Sequence, residues 1–306
     1  VSHAQNIMSE AQTMSATTAP TLQTTVPAGT RLAARLRRVA RHLPHYLLLS
    51  VLAVLTVYPF WWTLVTALST TGDVYSFPPP LLPSDPGLEN FIEVFRTINL
   101  LAFFKNSILI SAATVAGTLV ICSLAAYPLA RMQFPGRKWV FGAIIATMIL
   151  PAEINFLVNF ITVSRLQLAD TVTGVVLPNL AGAIGIFLMK QAFEAVPGDL
   201  IDAARVDGAN EWTIFWKIML PLAKPALGAL AILTMVTAWN QYIWPSVVMT
   251  SPDNFPLAVG VKYLSGAFSF KTRVVAAGAV LTILPILIVF LFTQRFFLRG
   301  FDGAVK

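Results

Sequence analysis

Apolar residues in this chain gather into long unbroken runs separated by shorter polar stretches, the pattern of membrane-spanning helices rather than of a soluble core. A hydrocarbon layer about 30 Å thick takes roughly 20 apolar helical residues to cross. Runs of that order lie at about 46–68, 106–130, 139–161, 172–189, 225–248 and 274–293. Pro59, Pro128, Pro151, Pro178, Pro245 and Pro285 fall within or near the ends of these runs, where packed membrane helices tolerate kinks. The expected fold class is therefore an all-α integral membrane protein with six transmembrane helices. Residues 1–30 show no apolar period and are rich in Ser, Thr, Ala and Gln, which predicts disorder. The expected division is a disordered, basic tail over 1–42, without a signal-peptide pattern, and a six-helix transmembrane domain over 43–306.

Composition sharpens this picture. Only 11% of the 306 residues are charged and 56% are hydrophobic, whereas soluble domains carry about 25% charged residues. The formal charge is +7, but the charges sit between apolar runs, which suits membrane topology better than a face for nucleic acid. With the amino terminus inside, 15 of the 21 Lys and Arg residues fall on inner segments. Arg31, Arg35, Arg37, Arg38 and Arg41 lead that count. This bias places both termini in the cytoplasm.

Catalytic and metal chemistry find little support. Cys122 is the sole cysteine, and His3, His42 and His45 all precede or open the first run, so no His or Cys cluster can form inside the membrane. No phosphate-binding G-x-x-x-x-G-K-[ST] motif occurs. Neither an enzymatic activity nor a metal or cofactor held by this chain is expected.

The inner loop at about 191–224 differs in kind from the other loops. Pro197-Gly198 makes a turn and Asp199 is a candidate N-cap for a short helix. Gly208 can end that helix in the left-handed conformation, and Asn210 can cap a second one. Trp212, Phe215, Trp216 and Met219 recur at i, i+3, i+4 and i+7, one apolar stripe, before Pro221 and Pro225 break the helix. The pattern alone is equally that of an amphipathic helix resting on lipid headgroups.

The run Asp202-Ala203-Ala204-x-x-Asp207-Gly208-Ala209, followed by Phe215, Ile218, Leu220-Pro221 and Pro225, closely resembles the EAA loop of ATP-binding-cassette importer permeases. Other segments extend the likeness: Pro83–Phe91, Leu150-Pro151-Ala152-Glu153, the run from Ala238 to Pro245, and the ending from Gln294 to Lys306. They resemble the carbohydrate-uptake branch, and within it the maltose-type second permease. The resemblance implies a permease subunit forming half of a translocation pathway for a sugar. Loop 191–224 would be its coupling helix, docking on a separate ATPase through Asp202, Ala203, Ala204, Asp207, Gly208, Ala209, Phe215 and Pro221. It further implies a cytoplasmic ATPase dimer that binds ATP and Mg, a second homologous permease, an extracytoplasmic solute-binding protein, and a bacterial-type inner membrane. Asp202 departs from the family's usual Glu by one methylene, which shortens its reach toward a basic ATPase residue.

Sugar sites pair aromatic faces with hydrogen-bonding side chains. Trp239, Asn240, Gln241, Tyr242 and Trp244 on the fifth run offer both, as does Asn179 on the fourth. The same Trp and Tyr residues equally suit interface anchoring, and Asn179 equally suits bonding between helices. Glu153 is the one acid within an apolar run and is either a path residue or a solvated group near the outer surface. A permease for another solute such as glycerol phosphate is the alternative within the class. A secondary transporter is weaker, because intramembrane acids and repeats are wanting.

Overall fold

The computed structural model describes residues 28–151, 154–267 and 271–302. The expectation of disorder over the first residues and the candidate Glu153 fall wholly or partly outside them. The chain divides into two units, 1–59 and 60–306. Helix α1 (Ala28–Leu68) crosses the boundary between them and is already formed from Ala28. The basic stretch that was expected to be disordered up to residue 42 is therefore helical over 28–42. Its Ala, Leu and Arg content explains this, since all three are strong helix formers.

In the second unit, α2 (Glu89–Thr97) precedes the long α3 (Leu100–Arg131). Next come α4 (Arg137–Ala146) with a 3-10 turn Thr147–Ile149, then α5 (Ile154–Arg165). The fourth run forms α6 (Val172–Val176), a 3-10 turn Leu177–Asn179, and α7 (Ala183–Glu194). Loop 191–224 holds α8 (Gly198–Val206), α9 (Glu211–Ile214), a π-helical turn Phe215–Met219 and α10 (Leu220–Leu222). Beyond it lie α11 (Lys224–Asn240), α12 (Ile243–Val248), α13 (Leu257–Ala267) and α14 (Thr272–Asp302).

Among the described residues, segments of α1, α3 and α14 are long and apolar enough to cross a membrane as single helices. Three bent pairs meet the same test only when taken together, which allows up to six spans. The pair α4 to α5 bends by 104° across Pro151, and the pair α6 to α7 by 52° across Leu180-Ala181-Gly182. Pro178 at the second of these breaks lacks the backbone N–H that a continuous helix needs. The fifth apolar run, expected to be one span over 225–248, is interrupted after Asn240, where Gln241 turns to extended backbone before α12.

Packing runs through α3. Its buried stripe Ser107, Ser111, Thr114, Thr118, Cys122 and Ala126 faces neighbouring helices, and small side chains let helices approach closely in membranes. A Cβ added at Gly185 of α7 would lie 2.7 Å from Cys122 Sγ. Large apolar residues such as Leu109, Val120, Val158 and Leu284 are exposed, as expected where the solvent is lipid or a partner subunit.

Candidate functional site

The loop 191–224 is built as helix, glycine turn, helix. Helix α8 starts at Gly198 with Pro197 at its N-cap position, so Asp199 sits in the first turn instead of capping it. Pro197 takes the N-cap position expected of Asp199, and a carboxylate in the first turn still favours the helix dipole. Gly208 adopts φ +81°, and the Ala209 N–H reaches back to the Ala204 carbonyl at 2.9 Å, closing the helix in a left-handed cap. The Thr213 N–H donates to Asn210 Oδ1 at 2.8 Å, so Asn210 caps α9 as its sequence position suggests.

The aromatic stripe is covered only in part. Phe215 and Met219 are buried while Trp212 and Trp216 are 60% and 55% exposed. Trp212, Phe215 and Trp216 stay in ring contact, with centroids 5.4–6.4 Å apart, so the stripe is covered along one edge and open along the other. Phe215 packs edge-on against Tyr127 of α3 at 5.3 Å and against Phe193 of α7 at 6.3 Å. Ile201, Ile214 and Met219 complete the same core with Met189. The loop is thus embedded by one face in the ends of the second and fourth spans.

Charged groups fix it further. The Tyr127 hydroxyl donates to Glu211 Oε2 at 2.5 Å, and Arg205 donates to Glu211 Oε1 through Nε and Nη2 at 3.0 and 2.9 Å. These bonds, the tyrosine's first, hold the Glu211 carboxyl below its usual range. Arg131 at the end of α3 donates to the carbonyls of Phe193, Glu194 and Val196, satisfying the open end of α7. Sequence reasoning missed Arg131, Tyr127 and Glu211 as a set; only a conserved spacing between distant elements would have signalled them.

The residues picked for docking divide by exposure. Asp202, Ala203, Asp207, Gly208 and Pro221 are exposed, Ala204 and Ala209 half-buried, and Phe215 buried. Asp202 reaches Arg205 at 3.4 Å, with 73% of its side chain exposed.

The candidate path residues do not form one site. Trp239 is buried, donating to the Thr282 carbonyl at 3.3 Å and lying edge-on to Phe104. Trp244 is buried too, donating to the Gly174 carbonyl at 3.3 Å and lying edge-on to Phe156. Both are cemented into packing between helices, a correction to their reading as open aromatic faces. Asn240 is exposed and bonds back to Val236 of its own helix, while Tyr242 is 40% exposed. Asn179 and Gln241 do meet: Gln241 Nε2 donates to Asn179 Oδ1 at 3.1 Å, and both line one groove among α3, α7 and α11. Among the described residues, no group of three or more His, Cys, Asp or Glu side chains could hold a metal ion.

Comparison with known proteins decides the family. Residues 117–301 match the family described as binding-protein-dependent transport system inner membrane component. The chain belongs to this family of membrane permeases. It is 40% identical over 226 residues to the arabinooligosaccharides transport system permease protein AraQ of Halalkalibacterium halodurans, covering 73% of this chain and 81% of that one. It is 32% identical to the lactose transport system permease protein LacG of Rhizobium radiobacter, covering 89% and 98%. A solved bacterial ABC transporter involved in the import of the acidic polysaccharide alginate superposes with a TM-score of 0.75 at 28% identity, covering 84% and 96%. The permease's fold and its membrane setting follow from these matches. A permease of this family is a conduit, not a catalyst in its own right.

Proposed function

We propose that the chain is one permease subunit of an ATP-driven importer for a sugar. It forms half of the translocation pathway and is coupled to a separate ATPase through loop 191–224. The observation that carries this reading is the two-faced build of that loop. One face, with Ile201, Ile214, Phe215 and Met219, is sunk into the spans. The other presents Asp202, Ala203, Asp207 and two tryptophans to solvent. A segment anchored this way transmits a push on its outer face to α3 and α7, which a headgroup-resting helix has no need to do.

The remaining parts of the machine follow from the same reading. A cytoplasmic ATPase dimer binds ATP and Mg and engages Asp202, Ala203, Ala204, Asp207, Gly208 and Ala209. A second permease completes the pathway, and an extracytoplasmic binding protein delivers the solute. The Lys and Arg distribution supports cytoplasmic termini. The sugar assignment draws on the arabinooligosaccharide and lactose relatives. Affinity purification of the tagged chain in mild detergent from its host, with mass spectrometry of what accompanies it, tests the assembly. Recovery of a P-loop ATPase and a second multi-span subunit is expected. A chain that purifies alone as a transport-competent oligomer overturns the proposal.

A further inference from the structure

Between α1 and α2 the chain makes an excursion whose two ends are pinned together at the end of α1. The Gly87 N–H donates to the Leu68 carbonyl at 2.9 Å, and the Thr70 N–H to that of Ser84 at 3.2 Å. Within the excursion, the Trp61 indole N–H donates to the Leu81 carbonyl at 2.9 Å. Trp61 lies a full seven residues before the helix end at Leu68, about 10 Å at the α-helical rise. Helical side chains lean toward the N-terminus, so this bond draws Leu81 back along α1 from Ser84 instead of away from it. The loop therefore folds down beside the segment Leu43–Leu68, which is long and apolar enough to cross a membrane. Its composition suits that place. Residues 74–84 carry no charge, although Asp73 and Asp85 flank them. Four of the seven residues from Phe77 to Pro83 are proline, with no backbone N–H to leave unsatisfied away from water. Leu81 and Leu82 are 64% and 72% exposed, and Phe60 and Trp61 on the adjoining helix are exposed as well.

We propose that Leu81 and Leu82 are a membrane anchor, inserted into the lipid around the Leu68 end of α1 and held at that depth by Trp61. A loop standing in water keeps polar side chains outward and satisfies its backbone with solvent. This one offers two neighbouring leucines, no charge and few donors, and its apolar surface gains by leaving water. The Leu81 carbonyl, which lipid could not satisfy, is taken up by the indole N–H. A tryptophan with one apolar and one hydrogen-bonding edge is at home at the membrane–water boundary. A protein surface is the rival cover for these leucines. Continuity favours lipid, because the patch lies along the flank of a spanning helix and runs on into the exposed Phe60 and Trp61 of that helix. The inference asks only that α1 crosses a membrane, and it stands whether or not the cargo is a sugar.

Spin labelling of the full chain, purified with whatever subunits accompany it and reconstituted in phosphatidylethanolamine–phosphatidylglycerol vesicles, tests the anchor. Leu82→Cys carries the label, and Leu81→Cys serves if the first variant does not assemble. Thr71→Cys, exposed just beyond the helix end, is the reference for water. The native Cys122 is buried, and the unsubstituted chain shows what label it takes up. Collisions of the label with oxygen, which concentrates in lipid, are compared with collisions with a water-soluble nickel chelate. The expected result is that oxygen outweighs the chelate at position 82 or 81 and that the order reverses at position 71. Chelate outweighing oxygen at 82 and 81 would place the loop in water and overturn the anchor. Few collisions with either reagent at those positions would mean that protein covers the leucines, which overturns it equally.

Discussion

The two ends of the helical bundle are held by different chemistry. At the end carrying loop 191–224, the contacts are an aromatic core and a charged relay from Arg205 through Glu211 to Tyr127. At the opposite end, between α5 and α6, Asp170 makes a clasp instead. Its carboxylate accepts from the Thr250 and Ser251 N–H groups at 3.0 Å each and from the Ser251 hydroxyl at 2.5 Å. Its own N–H and carbonyl bond Val248 and the Asn254 side chain. The Ser251 hydroxyl and N–H lead in holding the Asp170 carboxyl down to about 2. Nearby, Asn90 ties the Ala67 and Ser69 carbonyls, and Arg273 ties those of Thr70 and Gly72. One end is stitched by polar side chains to loop backbone, which fixes loops in place. The other is a packed block whose outward side is left unspent, which suits a part that must move as a unit against something else.

Substitutions at the two ends should therefore behave differently. Phe215→Ala removes the ring between Tyr127 and Phe193 and should cost about 3–5 kcal/mol, read as a fall in the melting temperature of the extracted complex. Asp170→Ala should cost about 2 kcal/mol, the scale of hydrogen bonds to a charged group, and should loosen 248–254 in hydrogen exchange without uncoupling ATP use from uptake. Gly208→Val forces a β-branched residue into a left-handed turn, at a cost of about 1–2 kcal/mol. A Cβ there meets nothing within 4 Å, so the strain lies in the backbone alone. Its expected signature is ATP hydrolysis that continues while uptake falls, and hydrolysis still tightly linked to uptake would break the contrast.

The smallest effect is on pH dependence. The folded-state carboxyl of Asp170 lies below its ordinary value, so its contribution is complete above about 4 and fades as pH falls toward about 2. The melting gap between wild type and Asp170→Asn should be flat from pH 7 to 5 and narrow below 4.

The all-helical, membrane-spanning character was legible from sequence, because length and apolarity suffice to mark helices such as α1, α3 and α14. The bends were not, since a run of apolar residues looks alike whether straight or broken; the interruption at Gln241 shows this. In the loop, Gly208 and Asn210 declared themselves because their roles are local. The partial covering of the aromatic stripe did not, because it depends on tertiary packing of Phe215 against Tyr127 and Phe193. Trp239 and Trp244 misled for a related reason, as only tertiary contacts with Thr282 and Gly174 reveal them as buried. Asn179 with Gln241, and Asp170 with Ser251, are separated by 62 and 81 residues, beyond the reach of any local pattern.

The central claim is that the outward face of loop 191–224 is where an ATPase presses. A photo-crosslinking residue at position 203, beside Asp202, with a control at position 84 on the opposite end, tests it in host cells most directly. The account predicts a crosslink from position 203 to a P-loop ATPase subunit and none from position 84. Crosslinks from position 203 to lipid alone would contradict it and return the loop to an amphipathic helix resting on the membrane surface.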